Sequence, residues 1–231
     1  MTKRVFLIVA LACLVLGFTI SGIAQDAVPI EKEPMHRLKF ENEFVRLFDV
    51  LVPVGKTTQF HIHSYDGLSI PVSEPHLVDV SLSGEKKTLD LKYGVPSFTP
   101  RPVPQTHQVI NRAASDFHNI FIELLADKKA PTAGPFPILS DGHTILIDND
   151  RVRVHRLVLK PGESSKLHRH NMHGLGIILY DSKIEMTFAD GTKRALEPKA
   201  GDYAWQNAGT THIIKNMGTT VFEAIDIELK Q

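Results

Sequence analysis

Cysteine is almost absent from this chain. Its 231 residues contain one, Cys13, inside an apolar N-terminal run. Once that run is removed, no disulfide, thiolate nucleophile or thiolate metal site can form. Net charge is also absent: 26 Lys and Arg balance 26 Asp and Glu. A chain without a basic field has no electrostatic basis for binding nucleic acid or a membrane surface. Catalytic signatures are missing as well. There is no nucleophile elbow, no Gly-rich phosphate loop, no zinc-finger spacing and no protease His-Glu-x-x-His. No long stretch shows helical periodicity. Tryptophan occurs once, as Trp205.

The N-terminus differs from the rest. Lys3 and Arg4 precede an apolar run from Val5 to Ile20, and Gly22 and Ala24 follow at the −3 and −1 places of a cleavage site. This pattern predicts a signal peptide over 1–24 and an exported protein, periplasmic or secreted. The run falls short of the roughly 20 apolar residues needed to cross a bilayer, so no stable membrane insertion is expected after cleavage.

The remainder is one unit written twice. ENEFVRLFDVLVPVG (Glu41–Gly55) aligns with DNDRVRVHRLVLKPG (Asp148–Gly162) at an offset of 107. The offset pairs Gly55 with Gly162, His61 with His168 and His63 with His170. It then falls to 105, pairing His107 with His212 and Asn111 with Asn216. The first copy has two extra residues in its proline-rich FTPRPVPQ stretch. Clustered and alternating β-branched residues predict strands, and Ser83-Gly84 and Asp190-Gly191 predict hairpins. The expected organisation is a lead-in over 25–37, repeats over 38–129 and 142–231, and a linker over 130–141.

Histidines two apart in a strand share a face, about 7 Å apart along it. With a third ligand from elsewhere they can hold one metal ion. The candidate sets are His61, His63 and His107 in the first copy, and His168, His170 and His212 in the second.

These residues resemble the cupin family. Its first motif is Gly, five residues, His-x-His, three or four residues, Glu; its second is Gly, five residues, Pro-x-Gly, two residues, His, three residues, Asn. The second copy gives Gly162, five residues, His168-x-His170, then Gly201, five residues, Asn207-x-Gly209, two residues, His212, three residues, Asn216. The first gives Gly55, five residues, His61-x-His63, then Gly94, Pro102-x-Pro104, two residues, His107, three residues, Asn111, with seven rather than five residues after Gly94. In detail the repeats are similar to the compact cupins related to the β-alanine-degradation protein BauB.

The resemblance implies an all-β chain, two double-stranded β-helix (jelly-roll) barrels in tandem, with each histidine set inside its barrel. It also implies a divalent transition metal; an all-imidazole set does not choose among Fe, Mn, Ni, Zn and Cu. One departure stands out. The motif's glutamate falls at Gly67 or Leu68 and at Gly174 or Leu175, so neither copy has it. Asp66 and His173 lie one position early and are kept as additional candidate ligands, although strand parity points them away.

Two functions follow. One is a metal-dependent enzyme acting on a small molecule by dioxygenation, decarboxylation or isomerisation, an oxidoreductase or lyase. The other is a non-catalytic small-ligand-binding module. No general acid or base is evident beyond Asp66 and His173. The resemblance adds a homodimer as an expected partner. Other residues carry blander expectations. Trp205 packs, Arg46 and Arg153 pair with nearby carboxylates such as Glu41 and Asp148, and Asn111 and Asn216 brace turns. Glu123 and Glu228 face solvent, and His36, His76, His118, His143 and His155 are surface or core-edge residues.

Overall fold

The computed structural model describes residues 26–125 and 142–230, apart from 75 and 90. The expected signal peptide with Cys13, and the linker over 130–141, lie outside the described residues. Strands dominate what is described, joined by one 3-10 turn at Ile30–Lys32.

The first barrel contains β1 (Val28–Pro29), β2 (His36–Glu41), β3 (Val45–Val52), β4 (His61–His63), β5 (Gly67–Pro71), β6 (Leu77–Ser81), β7 (Lys86–Leu89), β8 (Ser97–Thr99), β9 (Gln105–Asn111) and β10 (Phe117–Leu124). The second contains β11 (His143–Asp148), β12 (Val152–Leu159), β13 (His168–Arg169), β14 (Gly174–Ile178), β15 (Ile184–Phe188), β16 (Lys193–Leu196), β17 (Tyr203–Gln206), β18 (Thr211–Asn216) and β19 (Phe222–Leu229). Each barrel closes two sheets on each other. The order β2-β3-β10-β5-β8 is repeated strand for strand as β11-β12-β19-β14-β17, and β4-β9-β6-β7 as β13-β18-β15-β16. The first barrel also carries β1, which pairs in parallel with β4 and sets Val28 opposite His61. This is the double-stranded jelly roll expected from the sequence, built twice.

Local chemistry accounts for the strands and their turns. The β6–β7 and β15–β16 hairpins turn at Gly84 (φ 83°) and Gly191 (φ 82°), a left-handed backbone that a side chain would strain. Asn111 Nδ2 donates to Val52 O and Ser115 O at 2.8 and 2.9 Å, and Asn216 Nδ2 to Leu159 O and Thr220 O at 2.9 and 2.8 Å. Both asparagines therefore brace loops, as their side-chain chemistry predicts.

Alternation along β10 explains how the barrels join. Phe117, Asn119 and Phe121 face the first barrel's interior cavity. Ile120, Ile122 and Leu124 face the other way, into a core shared by both barrels. That core takes eight buried residues from each barrel, and they are repeat equivalents: Val45 with Val152, Leu68 with Leu175, Ile70 with Ile177, Ile122 with Ile227. Each such side chain stabilises by about 1.5–3 kcal/mol when fully buried. The duplicated pattern thus produces its own partner surface, and the two barrels pack back to back through equivalent sheets. Trp205 closes the rim, stacked on Phe40 and Phe44 at 5.6 and 6.0 Å, its Nε1 donating to Asn207 Oδ1.

Candidate metal centres

Register brings the histidines together. In the first barrel β4 pairs with β9 so that His61 lies directly opposite His107. In the second, β13 pairs with β18 and His168 lies opposite His212. Directly opposed residues on antiparallel strands have Cβ atoms about 4.5–5.5 Å apart. The third ring joins by the i, i+2 rule. Ring centroids in the first barrel are 4.9 Å (His61–His63), 4.7 Å (His61–His107) and 5.0 Å (His63–His107). The second barrel gives 5.1, 4.6 and 5.0 Å for the equivalent pairs. The two extra residues of the first copy fall in the loop between β8 and β9, so they leave its cluster in register.

The nitrogen atoms suit a divalent ion. Two imidazole nitrogens each about 2.0–2.1 Å from one ion stand roughly 3.0–3.4 Å apart at right-angle to tetrahedral spacing. His63 Nε2 and His107 Nε2 are 3.1 Å apart, and His170 Nε2 and His212 Nε2 are 3.4 Å apart. His61 Nδ1 donates to Gln59 O and His168 Nδ1 to Lys166 O, each at 2.9 Å. A carbonyl can only accept, so Nδ1 carries the proton and Nε2 keeps a lone pair. Both Nε2 atoms are buried without a hydrogen-bond partner. His107 Nδ1 is fixed by Asp79 Oδ1 at 2.6 Å, the carboxylate–histidine arrangement that orients a metal ligand. Burial pushes the imidazoles of His61 and His212 down to about 3, helped by neighbouring histidines, and lowers those of His63, His168 and His170. Neutral imidazoles are the ligating form.

A fourth histidine, overlooked in the sequence, joins the first cluster. His36 on β2 brings a nitrogen within 4.8 Å of those of His61 and His63. Its ring lies 4.4 Å from that of His61. Its Nδ1 is held by Glu33 Oε2 at 2.7 Å. His36 and His143 stand 107 apart, the offset of the His-x-His motifs, and that was the available signal. His143 is indeed beside the second cluster, 5.1 Å from the His168 ring, but its Nε2 is 3.3 Å from Asp226 Oδ2. Neither residue is a surface histidine.

Asp66 and His173 are not brought to the clusters. Both lie in the loop just before a strand, Asp66 before β5 and His173 before β14. Asp66 accepts from the Arg101 amide at 2.6 Å and lies 3.5 Å from Arg151 Nη1. His173 stacks on Phe44 at 5.0 Å and on Trp205 at 5.7 Å.

A buried carboxylate lies across the ladder from each glycine that stands at the motif's glutamate position. Gly67 pairs with Glu123 and Gly174 with Glu228. A Cβ on Gly67 would meet Arg101 and Phe121 at 2.5–2.8 Å, and one on Gly174 would meet Ile227 O at 2.1 Å. No glutamate fits there without a shift. The carboxylates sit one rung across, and the expectation that Glu123 and Glu228 face solvent is wrong: they are 0% and 2% exposed. Each has a partner. Arg46 Nη2 donates to Glu123 at 2.6 Å, and His155, a buried residue rather than a surface one, lies 3.3 Å from Glu228. Arg153 pairs with Asp148 as expected, whereas Arg46 reaches Glu123 and Glu31 rather than Glu41.

The cavities differ. A cavity of about 200 Å³ in the first barrel is lined by His36, His61, His63 and His107, with Phe121 and Arg101 beside them. One of about 540 Å³ in the second is lined by His212, Asp226 and Gln206 among apolar residues. Copy one has Phe48 and Phe121 where copy two has His155 and Asp226.

No family model matches the sequence, and no curated protein matches it. Solved structures do. AerE from Microcystis aeruginosa superposes with a TM-score of 0.59 at 12% identity, covering 85% of this chain and 98% of that one. Oxalate decarboxylase from Bacillus subtilis, described with Mn(II) centres, gives 0.57 at 14% identity over 81% and 69%. A cupin 2 conserved barrel domain protein from Leptotrichia buccalis gives 0.51 at 12% identity over 83% and 86%. The chain therefore has the cupin fold, as two barrels in tandem.

Proposed function

We propose that this two-barrel cupin holds a divalent transition metal in each barrel and is an exported metal-dependent enzyme acting on a small molecule. The observation that carries the reading is a pair of buried histidine groups with ligand nitrogens within 4.8 Å of one another, each with orphaned imidazole nitrogens. They are His36, His61 and His63 in the first barrel, which His107 joins through His63, and His168, His170 and His212 in the second. His61, His63 and His107 would hold one ion, and His168, His170 and His212 the other. A bound ion supplies Lewis acidity toward a carboxylate, carbonyl or dioxygen. The chain's own residues supply the rest. Gln59 O, Lys166 O and Asp79 orient the rings, and apolar walls restrict water. In the first barrel Arg101 lines the cavity beside the histidines, its guanidinium over the Phe121 ring. In the second, Asp226 is a carboxylate facing the cavity, the acid–base candidate that the sequence did not reveal.

The reaction types that fit are decarboxylation, dioxygenation and isomerisation of small polar molecules. The neighbouring fold of oxalate decarboxylase makes small carboxylic acids the first substrates to assay. Elemental analysis of the protein from its native host tests the reading. About two transition-metal equivalents per chain are expected, and fewer in His63→Ala and His170→Ala. No bound metal, and no rise in Tm on adding one, returns the protein to a metal-free ligand-binding module.

A further inference from the structure

We infer that the two clusters have diverged into one closed centre and one open centre. His36 completes an all-imidazole set in the first barrel, whereas Asp226 keeps its counterpart His143 away from the second, leaving that ion accessible to small ligands. The inference rests on the reading that both barrels hold an ion. Structural sites fill their coordination positions with protein ligands, and catalytic sites keep one open.

Three observations separate the barrels. The first is what holds each extra ring. Glu33 is 2% exposed, and its Oε2 takes His36 by Nδ1, which turns Nε2 toward His61 and His63. In the second barrel the contact is at Nε2 itself. An ionised carboxylate only accepts, so His143 Nε2 carries the proton and points at Asp226, and His143 does not join the group of His168, His170 and His212 nitrogens that lie within 4.8 Å of one another. The second is what supports Asp226. It is 4% exposed, and Gln206 Nε2 donates to its other oxygen at 3.2 Å. Gly176 leaves the room: a Cβ there would lie 3.2 Å from Gln206 and 3.4 Å from Asp226. The third is the neighbour in the first barrel. Position 121, the equivalent of Asp226, is phenylalanine, whose ring packs on His63 at 4.7 Å and cannot accept from His36. All four histidines of the first barrel line its cavity of about 200 Å³, and His212 reaches the wall of the cavity of about 540 Å³ in the second.

The assignment makes the second barrel the reaction centre and the first a holding site. Azide titration of the full-length chain loaded with Co(II), followed by visible absorption, tests it. Two cobalt ions per chain are expected, with one responding to azide. His36→Ala opens the first barrel, and the response rises from one cobalt to two. His143→Ala leaves both the cobalt content and the single response in place. Should His36→Ala fold poorly, as judged by its melt, the wild-type stoichiometry and His36→Gln decide. Two cobalt ions that both respond in the wild type, or a response unchanged by His36→Ala, overturns the divergence while leaving metal binding intact. Less than one bound cobalt per chain removes the metal reading, and this inference with it.

Discussion

Acid should destabilise the metal-free protein well above the range where carboxylates titrate. The perturbation is a fall in pH from about 7 to 5, and the responsible groups are His61 and His212, one per barrel, each lowered to about 3 chiefly by burial. An unfolded histidine takes up its proton near 6.5. Between the two values the unfolded chain binds more protons, so stability falls as pH falls. The effect is absent above about 6.5 and costs roughly 1.4 kcal/mol per pH unit for each histidine below it. At pH 5 the two together remove about 4 kcal/mol, a large part of a typical stability of about 5–15 kcal/mol. Unfolded Asp and Glu titrate near 4, so they contribute little in this window. Urea melts of the chelator-treated protein at half-unit pH steps give the slope directly. At least two protons taken up on unfolding are expected, and about one fewer in His212→Asn. Added Zn²⁺ should move the onset to lower pH, because the ion competes with protons for the same nitrogens. A stability flat from pH 7 to 5 in the metal-free protein would show that these rings are solvated, and would refute the reasoning.

Other outcomes follow from the same structure. Leu68→Ala and Leu175→Ala, both 0% exposed in the shared core, should each cost about 2–5 kcal/mol in denaturant melts, and the two costs should be similar because the sites are equivalent. Arg46→Ala strands the Glu123 carboxylate in the interior. It should cost about 3–5 kcal/mol, with the double variant Arg46→Met, Glu123→Leu recovering most of it, which a double-mutant cycle measures. Asn216→Ala leaves two carbonyls and the Gly218 amide without their partner, and a loss of about 1–3 kcal/mol by thermal melt is expected. Asp79→Asn should weaken metal binding in the first barrel by about 10–100-fold, read by competition with a chelating dye.

Much of the site was legible because ligand positions follow strand rules. His-x-His fixes a shared face, and the repeat offset fixes the partner across the ladder. His36 was missed because it approaches from β2, a strand outside both motifs, although its 107-residue separation from His143 was visible. Asp226 and Glu228 were missed because a carboxylate in a late strand gives no local sign of which face it takes. Pairing with Gly176 and Gly174 decided that, and of these Gly174 looked only like a departure from the family pattern.

The sequence by itself determined the duplication, the strand class and the two trios of histidines, since these depend on short-range periodicity and spacing. Tertiary structure decided which fourth group stands beside each trio, because that depends on residues over 20 positions away meeting across a closed barrel. It also decided that the barrels join through equivalent sheets: an apolar strand face states that it must be covered, and only packing says by what.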